Sequence, residues 1–380
     1  MSTAGESHGP AEVCILRGIP SGLALAEEDI DAELARRSAG YGRGGRMAIE
    51  ADKARILAGV RLGKTLGSPI AVMVENRDHK NWVPSMSVGP VSTEQLSGVR
   101  AVSVPRPGHA DYAGAAKYGH ADLRNVLERA SARETVARVA GGAVCKRLLA
   151  EAGVCVRGRV VRIGSVALPS RSQLHPREID WQAVESSDVA CEDAAVAGAM
   201  RRAIDQARES GESLGGVFEI WCWGVCPGVG GYATPEERLD ALILWALGSI
   251  PGVKGVEIGA GFAQAAQPGS VIHDPFILQE GSRGQVITRP SNNAGGLEGG
   301  VTNGMPLVVR AAMKPIPTLT SPLRSVDMST LLPVDAHVER SDVAAVPAAR
   351  VVGESMVAYV LARAYLEKFG GDSMEQFLCA

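Results

Sequence analysis

The chain is poor in aromatic residues, at 4%, and poor in lysine: of its 39 basic residues eight are Lys and the remaining 31 are Arg. A net charge of −3 gives no global basic field to draw it to nucleic acid or anionic membrane. So few aromatics also supply no stacking platforms for bases. No apolar run reaches the length of a bilayer span. The longest, residues 241–253, is interrupted by Gly248, Ser249 and Pro251. The N-terminus MSTAGESHGP has no apolar core of a signal peptide, so a cytoplasmic protein with no membrane partner is expected. Metal-binding spacings such as H-E-x-x-H are missing, and no metal site is expected. The nearest cysteines, Cys222 and Cys226, match neither a zinc nor a thioredoxin spacing. The seven Cys read as small buried hydrophobes in a reducing compartment.

What is present is an ordinary globular composition, 46% hydrophobic and 21% charged over 380 residues, with 45 glycines. Such a chain buries a large core unaided. Helices are expected at Glu27–Ser38, after a capping box at Ser131–Glu134, over Glu192–Ser210, after a second box at Thr234–Glu237 opening Arg238–Leu247, and over Glu354–Lys368. Strands are expected at Ile70–Glu75, Val154–Leu168, Val217–Val225, Val253–Ile258 and Leu307–Met313. Residues 165–192 read as loop. Strands and helices do not alternate strictly, so the pattern favours α/β or α+β layers with at least one antiparallel sheet. With no linker, residues 1–380 read as one domain.

Gly40–Gly45 matches G-x-G-x-x-G by letter but follows a helix, so the dinucleotide reading fails. It is either a flexible loop or an Arg-bearing loop (Arg37, Arg43, Arg46) that closes over an anion. Gly59–Thr65 is one residue short of a P-loop and reads as a turn before the strand at Ile70. His8 and His109 lie in Gly-rich loops and suit proton transfer. The remaining histidines have weaker claims, although His79 and His120 lie near Lys80 and Arg124. Arg129 and Arg133 flank the Ser131 cap, which is either an anion site or a solvated helix end paired with Glu128 and Glu134. The Gly-rich stretch 291–300 leads towards Lys314–Thr318, a pattern that suits a cofactor pocket and equally a structural turn. Arg340-Ser341-Asp342 precedes the last helix.

Taken together, GESHGP, YGRGGRM, RPGHADY, KYGHADLRNVLERASARET, VKGVEIG, SNNAGGLEGGVTNG, KPIPTL and RSDVAAVPAA resemble chorismate synthase, in the family's order, from Gly5 to about Ser373. The resemblance implies an α+β fold, a β-α-β sandwich with helices between antiparallel sheets, and a homotetramer. It implies a carbon–oxygen lyase acting on phosphates. The reaction is anti-1,4-elimination of phosphate from 5-enolpyruvylshikimate 3-phosphate, giving chorismate at the end of the shikimate pathway that feeds aromatic amino-acid biosynthesis. It depends on reduced FMN, with NADPH as a flavin reductant. By motif, the catalytic residues are His8, near the leaving phosphate, His109, near the flavin, and Asp342 as base, with Ser7 and Ser131 as proton relays. Flavin contacts fall on Arg129, Ala130, Ser131, Pro251, Gly252, Gly299, Lys314, Pro315, Ile316, Pro317, Thr318 and Arg340, and NADPH contacts on Arg37 and Arg43. The anionic substrate draws on His8, Arg37, Arg43, Arg46, Arg133 and Arg340. Members usually carry an apolar strand before the GESHG motif, where this sequence has Met1-Ser2. A shortened or absent first strand and a loosened His8 loop are therefore expected. The rival reading is an inactive homologue that binds FMN or another anion without turnover.

Overall fold

A computed structural model describes residues 1–44, 52–92, 94–95, 99, 101–169, 174–281, 284–339 and 341–379. Two antiparallel sheets enclose a layer of helices. The first sheet holds β1 (Ser2–Ala4), β2 (Ala11–Leu16), β3 (Ala54–Ala58) and β4 (Ile70–Glu75) in the order β1-β2-β4-β3. The second holds β5 (Cys155–Ile163), β6 (Val166–Ala167), β7 (Gly216–Trp223), β8 (Val253–Ile258) and β9 (Leu307–Met313) in the order β8-β9-β7-β5-β6. The helices that matter are α1 (Glu27–Ser38), α2 (Asp111–Tyr118), α3 (Arg124–Leu127), α4 (Thr135–Glu151), α5 (Ala194–Glu209), α6 (Leu239–Gly248) and α7 (Val346–Phe369). Buried side chains from Leu16 to Phe377 form one core that joins both sheets through α4 and α7.

A double glycine makes the middle layer thin enough. A Cβ on Gly141 would lie 2.8 Å from Cys14 Sγ on β2. One on Gly142 would lie 2.2 Å from Ser355 Cβ on α7. Neighbouring residues of α4 therefore touch the first sheet and the second central helix with no side chain between them. Gly353 repeats the device on α7, where a Cβ would meet the Phe218 ring of β7 at 2.5 Å. The charge inside this layer is compensated. Burial alone would push the Glu354 carboxyl up, but Lys146 and Arg36 (both 2.7 Å away) and Arg350 hold it well below the carboxylate range.

Several expectations need correction. The Ser131–Glu134 box forms only in part. Ser131 accepts from the Arg133 amide, while Glu134 turns to Arg138 at 3.0 Å. Thr234–Glu237 is a turn, and the helix starts at Leu239 with Arg238 paired to Asp240. The helix expected over Glu354–Lys368 begins at Val346 rather than Glu354, because it is buried all round and shows no polar stripe to mark its first turns. Val154–Leu168 is a strand and a short return strand joined by a turn. Within 165–192, Trp181–Ser186 is helical. β2 and β3 are absent from the expected strands. Although short, β1 is present and paired, Thr3 opposite Cys14, and His8 behind it is buried, so the expected loosening of this loop is not seen.

Candidate active site

The loop between β1 and β2 carries Ser7 and His8, and Glu128, just past α3, clamps it. The Ser7 amide donates to the Glu128 carbonyl at 2.9 Å, and the His8 amide donates to Glu128 Oε2 at 2.8 Å. The His8 ring follows, with Nδ1 at 2.8 Å from Oε1. Burial opposes ionisation of Glu128, but the bonds from His8 and Arg124 outweigh it and hold the carboxyl below its ordinary range. An ionised carboxylate only accepts, so Nδ1 carries the hydrogen and Nε2 is the nitrogen not engaged by Glu128. The ring is stacked on Trp82, with centroids 3.8 Å apart, and Trp82 is fixed by Asp78 at 3.0 Å. The guanidinium of Arg124 lies 5.0 Å from the Trp82 ring centroid and donates to Glu128. His79 Nδ1 meets the His8 carbonyl at 2.9 Å.

His109 has the same arrangement. It ends a turn closed by its amide on the Arg106 carbonyl, and its Nδ1 is 2.5 Å from Oδ1 of Asp111, the first residue of α2. Burial opposes ionisation of Asp111. His109 and Arg106 again outweigh it, and the carboxyl sits far below the usual range. Arg106 also donates to Thr318 Oγ1 at 3.0 Å, and Lys314 donates to the Gly108 carbonyl. Residues 314–318 thus lie along the His109 turn. The Ser341 hydroxyl donates to the Thr318 carbonyl at 3.1 Å. Asp342 beside it accepts from the Gly44 amide at 2.7 Å and pairs with Arg43 at 2.8 Å. Glu339 spans the two histidine groups, 3.8 Å from Arg106 and 3.9 Å from Arg124.

Around the first group, Ser131 donates to Ser7 Oγ at 3.1 Å. Arg129 donates to the carbonyls of Gly5 and Thr3, and its side chain keeps 41% exposure. Ala130 lies between Arg129 and Ser131 and is half-buried. Arg133 pairs with Asp52 at 2.8 Å. Arg37 is 5% exposed and donates to Thr135 Oγ1 and the Ala132 carbonyl, which makes it a tie into the start of α4. Pro251-Gly252 joins the second group, since the Gly252 carbonyl accepts from the Lys314 amide. Pro315, Ile316 and Pro317 complete that segment. Gly299 stands apart in the turn between Glu298 and Val301, whose neighbour Gly300 packs on Gly231 and Arg238. Arg46 and Arg340 lie outside the described residues. His175 caps a turn through Arg177 and has no place here.

Glu128, Trp82, Arg106, Asp111 and Glu339 were not singled out as functional from sequence. Arg106 and Asp111 share a motif with His109, which was a usable signal. Trp82 gives none.

Among known proteins, the chorismate synthase family profile matches residues 1–366. A chorismate synthase of Desulforudis audaxviator is 56% identical over 376 residues, covering 99% of this chain and 94% of that protein. One from Trichlorobacter lovleyi is 52% identical over 379 residues, covering 98% and 95%. A crystal structure of chorismate synthase superposes with a TM-score of 0.79 at 43% identity, covering 99% of this chain and 94% of the other.

Proposed function

Since the chain belongs to the chorismate synthase family, lyases that convert 5-enolpyruvylshikimate 3-phosphate to chorismate and phosphate with reduced flavin, we propose that the two histidine–carboxylate pairs run that elimination here. The observation that carries this assignment is the shared geometry. Each imidazole is fixed through Nδ1 on an ionised buried carboxylate, and Glu339 ties the two together. His8 gives a proton to the departing phosphate through Nε2, with Glu128 holding the ring in place. Ser7 and Ser131 form a short hydroxyl chain beside it. His109 serves as the second acid, oriented by Asp111. Asp342, held by Arg43 and the Gly44 amide, receives the ring proton. Arg133 and Arg43 offer guanidinium groups to the anionic substrate, and Arg37 supports that wall from within.

The residues fit a flavin mononucleotide. Arg129 keeps an exposed face for its phosphate, Ser131 and Lys314 add donors, and Gly252 and the 314–318 segment form a backbone rim that suits a planar ring. Bound there, reduced FMN supplies electron density to the substrate as phosphate leaves. NADPH as its reductant belongs to the same reading, with Arg43 as the better placed of its two contacts. A single catalytic domain, a homotetramer and a cytoplasmic setting complete the proposal. The free state of all seven cysteines supports the last.

The test is an anaerobic assay with reduced FMN. Phosphate and chorismate should form in equal amounts, and His109→Ala should lose about 10²–10⁴-fold in rate. A folded protein without turnover, or a variant with unchanged rate, overturns the assignment.

A further inference from the structure

Glu12 breaks the pattern of its strand. β2 points Cys14 and Leu16 into the core, and the period of two places Glu12 on the same buried face, where it is 1% exposed. Both carboxyl oxygens lack a hydrogen-bond donor. Across the ladder stands Val74, which offers nothing polar. A buried carboxyl in this state is costly and is normally partnered.

What surrounds it is the root of the His8 loop and the side chain of Arg129. Gly5, at the root of the His8 loop, rests directly on the carboxyl, and a Cβ there would lie 2.4 Å from Oε2. Gly5 has a φ of +135°, so glycine is needed for the backbone as well as for space. Arg129 Nη1 is 3.8 Å from Oε2 and donates to the Gly5 carbonyl. The other charged groups facing Glu12 are Arg133, Glu134 and Glu6. Burial pushes the carboxyl up to about 7, and Arg129 and Arg133 only partly offset it, while Glu134 and Glu6 add to the rise.

We propose that Glu12 is a positioning residue that acts through Arg129: its carboxylate balances the guanidinium in the empty site, and it takes up a proton when a phosphate dianion binds the exposed face of Arg129. The two anions compete for one cation across a short, dry gap, so ligand affinity and proton binding are linked. Arg129 then keeps its place on the Gly5 and Thr3 carbonyls, and the His8 loop holds its shape in both states. This inference rests on Arg129 meeting the flavin phosphate.

FMN itself is the probe, followed by quenching of its fluorescence from pH 6.5 to 8.5 and by calorimetry in two buffers of different ionisation enthalpy. Wild type should take up close to one proton near pH 8 beyond that owed to FMN alone, and its Kd should weaken about tenfold from pH 7 to 8.5. Glu12→Gln and Glu12→Leu should bind as tightly at pH 8.5 as at pH 6.5, with the extra proton gone. Infrared difference spectra of wild type should show a carboxylate band replaced by a protonated carboxyl on FMN binding, a reading that needs no variant to fold. Equal proton uptake in wild type and Glu12→Gln, or no uptake in wild type, overturns the role of Glu12. FMN binding that Arg129→Ala leaves unchanged overturns the flavin contact itself, and the proposal with it.

Discussion

A histidine proposed to deliver a proton needs its ring fixed, and Glu128 and Asp111 fix the rings of His8 and His109. Asp111→Asn replaces an acceptor with an amide that also donates, so Nδ1 is offered the wrong tautomer. The rate should fall at least tenfold, and folding stability should fall as well, because buried Arg106 loses its carboxylate partner. Steady-state turnover and urea unfolding, measured side by side, check this. Ionisation of these residues also shapes stability. Glu128 and Asp111 are held below their unfolded values, so they stabilise the fold above about pH 4, and that contribution is lost as pH falls towards their folded values. Glu12 has the opposite sign. Its carboxyl is raised to about 7, so its contribution is complete below about pH 4.5 and disappears as pH rises through 7. Between pH 5 and 9 wild type should therefore lose about 3 kcal/mol relative to Glu12→Gln, read from urea midpoints. His8 and His109 were legible because their motifs crowd glycine and chemistry into a few letters. Glu128 was not, since the ring it holds lies 120 residues away. Glu12 was legible in principle, as a charge out of phase on a strand that itself went unread.

Among the elements, α4 shows how two glycines decide a packing distance. Gly142→Ala gains about 1 kcal/mol in helix propensity. It also forces a methyl group to 2.2 Å from Ser355 Cβ between two fixed backbones. The clash dominates, and a net loss of about 2 kcal/mol is expected from chemical denaturation. Ser355→Gly should return part of it, and a double-mutant cycle measures how much. Helices with a polar face, such as α1, were legible at both ends, as were the strands β4, β8 and β9. The first eight residues of α7 were hidden because an apolar segment without a stripe has no period to read. β3 was hidden for another reason. Arg55, Ile56 and Leu57 do not alternate cleanly, so pairing rather than local preference makes it a strand.

At the scale of the whole molecule, the layered order could be anticipated from the strand–helix pattern and the motifs, while the partners that close each layer could not. In the hairpin of Ile277–Gly281 and Gly284–Thr288, Leu278 and Ile287 stand directly opposite each other on one face, and their side chains are exposed, as is that of the preceding Phe276. We propose that they seat a subunit contact of the proposed homotetramer. Ile287→Glu should shift the mass seen by light scattering from a tetramer to a smaller species, and an unchanged mass would place the contact elsewhere. The middle layer has one more consequence, in time. α4 is made about 200 residues before α7, which at about 5–20 residues per second is a wait of roughly 10–40 s. Through that interval the groove at Gly142 has no occupant, and the first sheet lies beside an unfilled layer. The Met1 nitrogen meets the Tyr359 hydroxyl of α7 at 3.1 Å, so β1 takes its final position only when α7 has been synthesised. During synthesis the strand that positions His8 must wait for a helix that does not yet exist, and a ribosome-bound chain stopped before Val346 should leave Cys222, buried beside Glu354 of α7, open to thiol labelling that the finished protein resists.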